Sequence, residues 1–125
     1  MVRGNTGPSY SDLDAAAVAA CDWLWAHQSE AKRWEYCGVL YREEAGGGIR
    51  VGLPERGDRA WRCFPRDPPE ATVFLGRYHN HRFTAEPSGD DKKRAQKEPS
   101  LGHYLCAPSG LVRRISAKEG TVNVR

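Results

Sequence analysis

The chain has 125 residues, enough for one domain with a real hydrophobic core and too few for two ordinary ones. Hydrophobic residues make up 39% and charged residues 28%, which excludes a disordered chain, and no apolar run approaches the ~20 residues of a membrane-crossing helix. A net charge of +3 is mild, so nucleic acid is compatible as a partner but not expected.

Residues 1–9 are polar with glycine and proline and read as a flexible tail ahead of a single domain over 10–125. The N-terminus shows no hydrophobic segment or cleavage site of a secretory signal, so a cytoplasmic protein is expected; delivery into a target cell by a secretion system would leave no such mark. Ser11 reads as a helix N-cap with Asp12 and Asp14 in the first turn, and Leu13, Ala17, Ala20, Cys21 and Leu24 recur at helical spacing to about His27. Trp23 and Trp25 are two apart and cannot both face the core.

Strands follow over 36–42 and 49–53 around the turn Gly46-Gly47-Gly48, then a loop over 54–59, a short strand over 60–64 and a loop over 65–70. The strand over 71–78 delivers Tyr78-His79-Asn80-His81. Ser88 caps a predicted helix over about 90–97, and strands over 103–107, 111–116 and 121–124 complete the chain. One helix, several strands, a short helix and more strands predict an α+β domain with a mixed or mostly antiparallel sheet.

Cys21, Cys37, Cys63 and Cys106 form no C-x-x-C pair and sit among apolar residues, so four reduced, buried thiols are expected rather than a disulfide framework. The basic cluster Lys92, Lys93, Arg94 and Lys97 reads as a solvated helix face.

The chemistry concentrates in 79–91. His79 and His81 are one residue apart and share a strand face. A catalytic zinc takes three protein ligands and keeps a position for water, a need that His79, His81 and Asp91 would meet, with Asp90 competing for the third place. The cation brings the pKa of its water near neutrality, and a carboxylate must carry the proton to the leaving amine. Glu35, opening the first buried strand, suits that task, and the Ser88 hydroxyl suits a developing oxyanion.

Glu35-Tyr36-Cys37-Gly38-Val39-Leu40, His79-Asn80-His81 and Ser88-Gly89-Asp90-Asp91 together resemble the signature of the JAB/JAMM (MPN-type) metalloproteases: a glutamate on an early strand, H-x-H, then S-x-x-D. Gly102-His103-Tyr104-Leu105-Cys106-Ala107-Pro108-Ser109-Gly110 extends the likeness toward a bacterial JAB-like branch found in Rhs-type polymorphic toxins. The resemblance covers residues 12–117. It implies a JAB/MPN-like, cytidine-deaminase-like mixed sheet flanked by the N-terminal helix and the short helix after the metal motif. It also implies Zn2+ on His79, His81 and Asp91, Glu35 as general acid/base, Ser88 at the oxyanion, and hydrolysis of a peptide or isopeptide bond. A peptide or ubiquitin-like protein is then the substrate, and an immunity or carrier protein the companion of a toxin domain. Three departures stand out: Arg82 where proline is usual, Asn80 where serine or threonine is usual, and a connector over 82–87 one residue shorter than usual.

Separately, each residue has an ordinary reading: histidines on a strand, a capping box at Ser88-x-x-Asp91, a surface ion pair for Glu35. The other functional classes are a non-catalytic JAB-like binding module, a metal-dependent nuclease with the 92–97 helix on phosphates, and a cysteine hydrolase using Cys37 or Cys106 with His103.

Overall fold

Side chains alternate along a strand, so each strand of a two-faced sheet must satisfy two different neighbours. The structure of this chain, a computed structural model, describes residues 9–57 and 63–125 and shows that principle throughout. The elements are α1 (Leu13–His27), β1 (Tyr36–Glu43), β2 (Arg50–Val51), β3 (Glu55–Arg56), β4 (Thr72–Asn80), α2 (Gly89–Lys97), β5 (Gly102–Cys106), β6 (Val112–Ser116) and β7 (Gly120–Asn123). One sheet runs β2-β1-β4-β5-β6-β7, with β3 also paired to β1. β4 and β5 are parallel and the other pairings are antiparallel, so the sheet is mixed. A parallel pair cannot be joined by a hairpin, and α2 lies in the crossover between β4 and β5.

The sheet is flanked by a helix on each face. Tyr78 of β4, Tyr104 and Cys106 of β5 and Val112 of β6 share a core cluster with Ala16, Ala17, Ala20, Cys21 and Leu24 of α1. The alternate residues Leu105 and Ile115 pack with Ala95 of α2. Asp14 in the first turn of α1 fixes the helix to the sheet: its carboxylate accepts from the Tyr104 hydroxyl at 2.5 Å and from the Arg114 guanidinium at 2.7 and 2.9 Å. Trp25 packs against the core, whereas Trp23 stacks on His27 with ring centroids 4.4 Å apart.

Tyr78 is fully buried and its hydroxyl donates to the Gly52 carbonyl at 2.6 Å. Its register partner is Gly38, where an added Cβ would lie 2.5 Å from the tyrosine ring. The glycine at 38 is therefore the space the buried ring occupies.

Several boundaries differ from the sequence expectation. The N-cap of α1 is Asp12, whose side chain accepts from the Asp14 amide, and not Ser11. The expected loop over 54–59 contains β3, because two residues there complete the edge of β1. The expected strand over 60–64 falls partly on residues 58–62, outside the described ones; Cys63 and Phe64 are not in a strand. The tail over 1–8 also lies outside them, while Tyr10 pairs with Ile49.

The expectation of four reduced cysteines is corrected. Cys21 is bonded to Cys106 and Cys37 to Cys63, with Cα separations of 5.2 and 5.9 Å. Burial, which argued for inert thiols, is what brings them together: the buried face of α1 lays Cys21 on the row of β5 that ends in Cys106. Neither Cys37 nor Cys106 is then a nucleophile, and the cysteine-hydrolase reading falls. Thiol titration in denaturant checks this pairing, with no reactive thiol expected before reduction and four after. Replacing Cys21 and Cys106 by serine together should lower the unfolding free energy by about 4.5 kcal/mol in urea titration, from the loop-closure entropy of an 85-residue separation.

Candidate metal centre

β4 ends at Asn80, and its alternation separates two sets of side chains. Tyr78 and Asn80 face α1 and are fully buried; His79 and the following His81 face α2 and are half-buried. Their Nε2 atoms lie 3.2 Å apart. Asp91, the third residue of α2, meets both: Oδ1 is 3.2 Å from His79 Nε2 and Oδ2 is 3.1 Å from His81 Nε2. Asp90 is exposed at the same helix end and is not part of this triangle.

The triangle fits a small divalent cation. Tetrahedral zinc with nitrogen and oxygen ligands at ~2.0–2.1 Å places those ligand atoms about 3.3 Å apart; the two imidazole nitrogens are 3.2 Å apart, and each has its own Asp91 oxygen at 3.2 or 3.1 Å. His79, His81 and Asp91 form the metal-capable cluster found among the described residues.

The helix terminus that presents Asp91 is built by a capping box. The Ser88 hydroxyl accepts from the Asp91 amide at 3.1 Å, and Asp91 Oδ2 accepts from the Ser88 amide at 2.9 Å. The carboxylate that closes the cap is thus the same one that meets the two histidines. Burial pushes the Asp91 carboxyl up, but its hydrogen bonds to His79 and His81 outweigh this and hold it far below the usual carboxylate range. For His79, burial works downward, and the hydrogen bond and charge of Asp91 carry the net shift above the ordinary 6.5.

Glu35 stands immediately before β1. Cys37 pairs with His79 at the end of the β1–β4 ladder, and Glu35, two residues before Cys37, lines the same cleft as His81 and feels the charge of both histidines. Glu35 is half-buried, and burial raises its pKa against the lowering influence of His79, His81 and Arg82. A cleft of about 400 Å³ opens here, lined by Glu35, His81, Ser88, Asp90, Asp91 and Arg94 among others. All five predicted site residues therefore come together, from the entry to β1, the end of β4 and the residue after it, and the cap and first turn of α2.

Asn80 is the residue to which sequence reasoning gave no role. Its Oδ1 accepts from the Tyr36 amide at 2.5 Å, and its Nδ2 donates to the Ala31 carbonyl at 2.7 Å and to that of Trp34 at 3.3 Å. These three backbone groups bracket Glu35. The available signal was phase: alternation sends position 80 into the core, and a buried amide must find partners.

The solution structure of protein DSY2949 from Desulfitobacterium hafniense is similar to this chain, with 26% identity and a TM-score of 0.53, over 84% of this chain and 85% of that one. The likeness speaks for the arrangement of helices and mixed sheet. No protein-family model matches the chain, and neither does any curated protein.

Two outcomes test this centre. Asn80→Ala strands the Tyr36 amide and the Ala31 carbonyl, and should cost about 2–4 kcal/mol in denaturant unfolding. The second concerns pH. A native His79 raised above its unfolded value contributes stability below that value and loses it as pH rises through the native one. The metal-free chain should therefore weaken as pH rises above the ordinary histidine value of 6.5. Zinc competes with the same proton, so its affinity should strengthen over that range, as calorimetry at several pH values would show.

Proposed function

We propose that this chain is a zinc-dependent amide hydrolase of the JAB/JAMM type. The carrying observation is the convergence of His79, His81 and Asp91 in a group that could hold a cation, with a half-buried Glu35 lining the same cleft as His81 and Asp91. The order and spacing of the sequence signature support the same reading, and so does the mixed sheet between two helices.

A divalent ion held by His79, His81 and Asp91 supplies Lewis-acid chemistry, acidifying a water and polarising an amide carbonyl. The protein does the rest. Glu35, with its pKa raised by burial, takes the proton of the attacking water and returns it to the amine nitrogen as the C–N bond breaks. The Ser88 oxygen already accepts from the Asp91 amide, which leaves its hydroxyl proton to donate to the carbonyl oxygen as charge develops there. A non-catalytic binding module would have no use for a carboxylate held half-buried beside the metal-capable cluster, a position that costs desolvation.

The basic residues of α2 give little support to a nuclease. Lys92, Lys93 and Lys97 are exposed, whereas Arg94 turns toward the cleft. Two disulfides favour an oxidising compartment over the expected cytoplasmic one, which suits a delivered effector or toxin domain. No described helix is long and apolar enough to cross a membrane.

Metal analysis and peptide hydrolysis test the reading together. The purified chain should bind zinc tightly and His79→Ala should not. Glu35→Gln should retain zinc and fold while losing about 10²–10⁴-fold in hydrolysis of unstructured peptides; full activity in that variant would end the assignment of Glu35.

A further inference from the structure

Among the described residues, Phe64 and Phe83 are the large apolar side chains most at odds with solvent, at 61% and 80% exposure. A single exposed apolar residue is ordinary. These two line the same cleft as Glu35 and His81.

They arrive from separate parts of the chain, and each is anchored next door. Phe64 follows Cys63, which is bonded to Cys37 of β1, and Arg66 pairs with Glu55 of β3 at 2.7 Å. Phe83 lies in the connector between β4 and α2, where the Arg113 guanidinium of β6 donates to the Ala85 carbonyl at 3.0 Å. The disulfide beside Phe64 and the Arg113 bond beside Phe83 hold the backbone near each ring at the edge of the cleft.

Charge accompanies the rings. The Arg82 guanidinium lies 4.8 Å from the centroid of Phe83, and Arg94 lines the same space. Neither arginine has an ion pair among the described residues. An aromatic rim offers area to a large apolar side chain, and an adjacent guanidinium offers a fork to a carboxylate. The cleft of about 400 Å³ holds a few residues of extended chain and not a folded domain.

We propose that Phe64 and Phe83 form a paired subsite for a large apolar side chain, with Arg82 receiving an acidic neighbour. The substrate is then an exposed, extended polypeptide segment carrying an apolar–acidic pair beside the cleaved amide. This deepens the hydrolase reading and rests on it for the word substrate; the binding preference itself does not.

Fluorescence anisotropy with zinc-loaded Glu35→Gln protein separates the two. The probes are labelled dodecapeptides identical except for a central Phe-Asp, Ser-Asp or Phe-Lys. Phe-Asp should bind tighter than Ser-Asp by about 10–100-fold, the range of an apolar pocket. Phe-Lys should bind several-fold weaker than Phe-Asp, with the gap closing at high salt. Both preferences should shrink in the Phe64→Ser/Phe83→Ser and Arg82→Gln variants respectively, with zinc content and circular dichroism unchanged. Equal binding of all three peptides overturns the subsite, as does a preference that survives the double substitution. Attachment to phosphatidylserine vesicles through the two phenylalanines without peptide selectivity overturns it in favour of a lipid surface. The same peptides given to the unsubstituted enzyme decide the other question: selective binding without cleavage keeps the subsite and removes the hydrolase, while cleavage without selectivity does the reverse.

Discussion

A single buried amide holds together the end of this molecule that carries the histidine–aspartate cluster. Asn80 sits on the core side of β4 with no solvent exposure, and its carbonyl and amino groups are matched to the backbone of the segment running into β1. A buried amide without partners would be strongly destabilising, so the site tolerates little displacement of that segment. Glu35 lies inside the bracket, between Trp34 and Tyr36. The same alternation that turns Asn80 inward turns His79 and His81 outward to α2. One strand thus fixes the cluster on one face and the neighbouring carboxylate through the other.

The opposite side depends on where a helix begins. Because β4 and β5 are parallel, the chain must leave the sheet at the end of β4 and cross back, and α2 occupies that crossing. Its first turn is closed by Ser88 and Asp91, and Asp91 is shared between the cap and the two histidines. The favourable charge at a helix N-terminus and two imidazoles act on one carboxylate, which explains why pairing outweighs burial there. Folding of α2 and assembly of the cluster are consequently one event.

Much of this was legible because it is local. The capping box at Ser88, the shared face of His79 and His81, and the strand at 36 follow from spacing alone, and the elements from β4 onward fall close to their expected bounds. What stayed hidden is non-local. Cys21 and Cys106 are 85 residues apart, and only the packing of α1 on β5 reveals them as partners. β3 has two residues and exists because β1 offers it an edge. Asn80 looked like a variable position within H-x-H; its importance comes from groups 44 to 49 residues away. Phe64 gave no sign in sequence that it shares a cleft with Phe83.

The longer disulfide has a bearing on survival as well as on folding. Cys21 and Cys106 enclose Glu35, His79, His81 and Asp91, together with the glycine turn at 46–48 and the exposed connector around Phe83. A protease that severs the backbone once anywhere between those cysteines opens a ring and releases no fragment. The nicked molecule keeps every site residue on one covalent body, able to close again around its core.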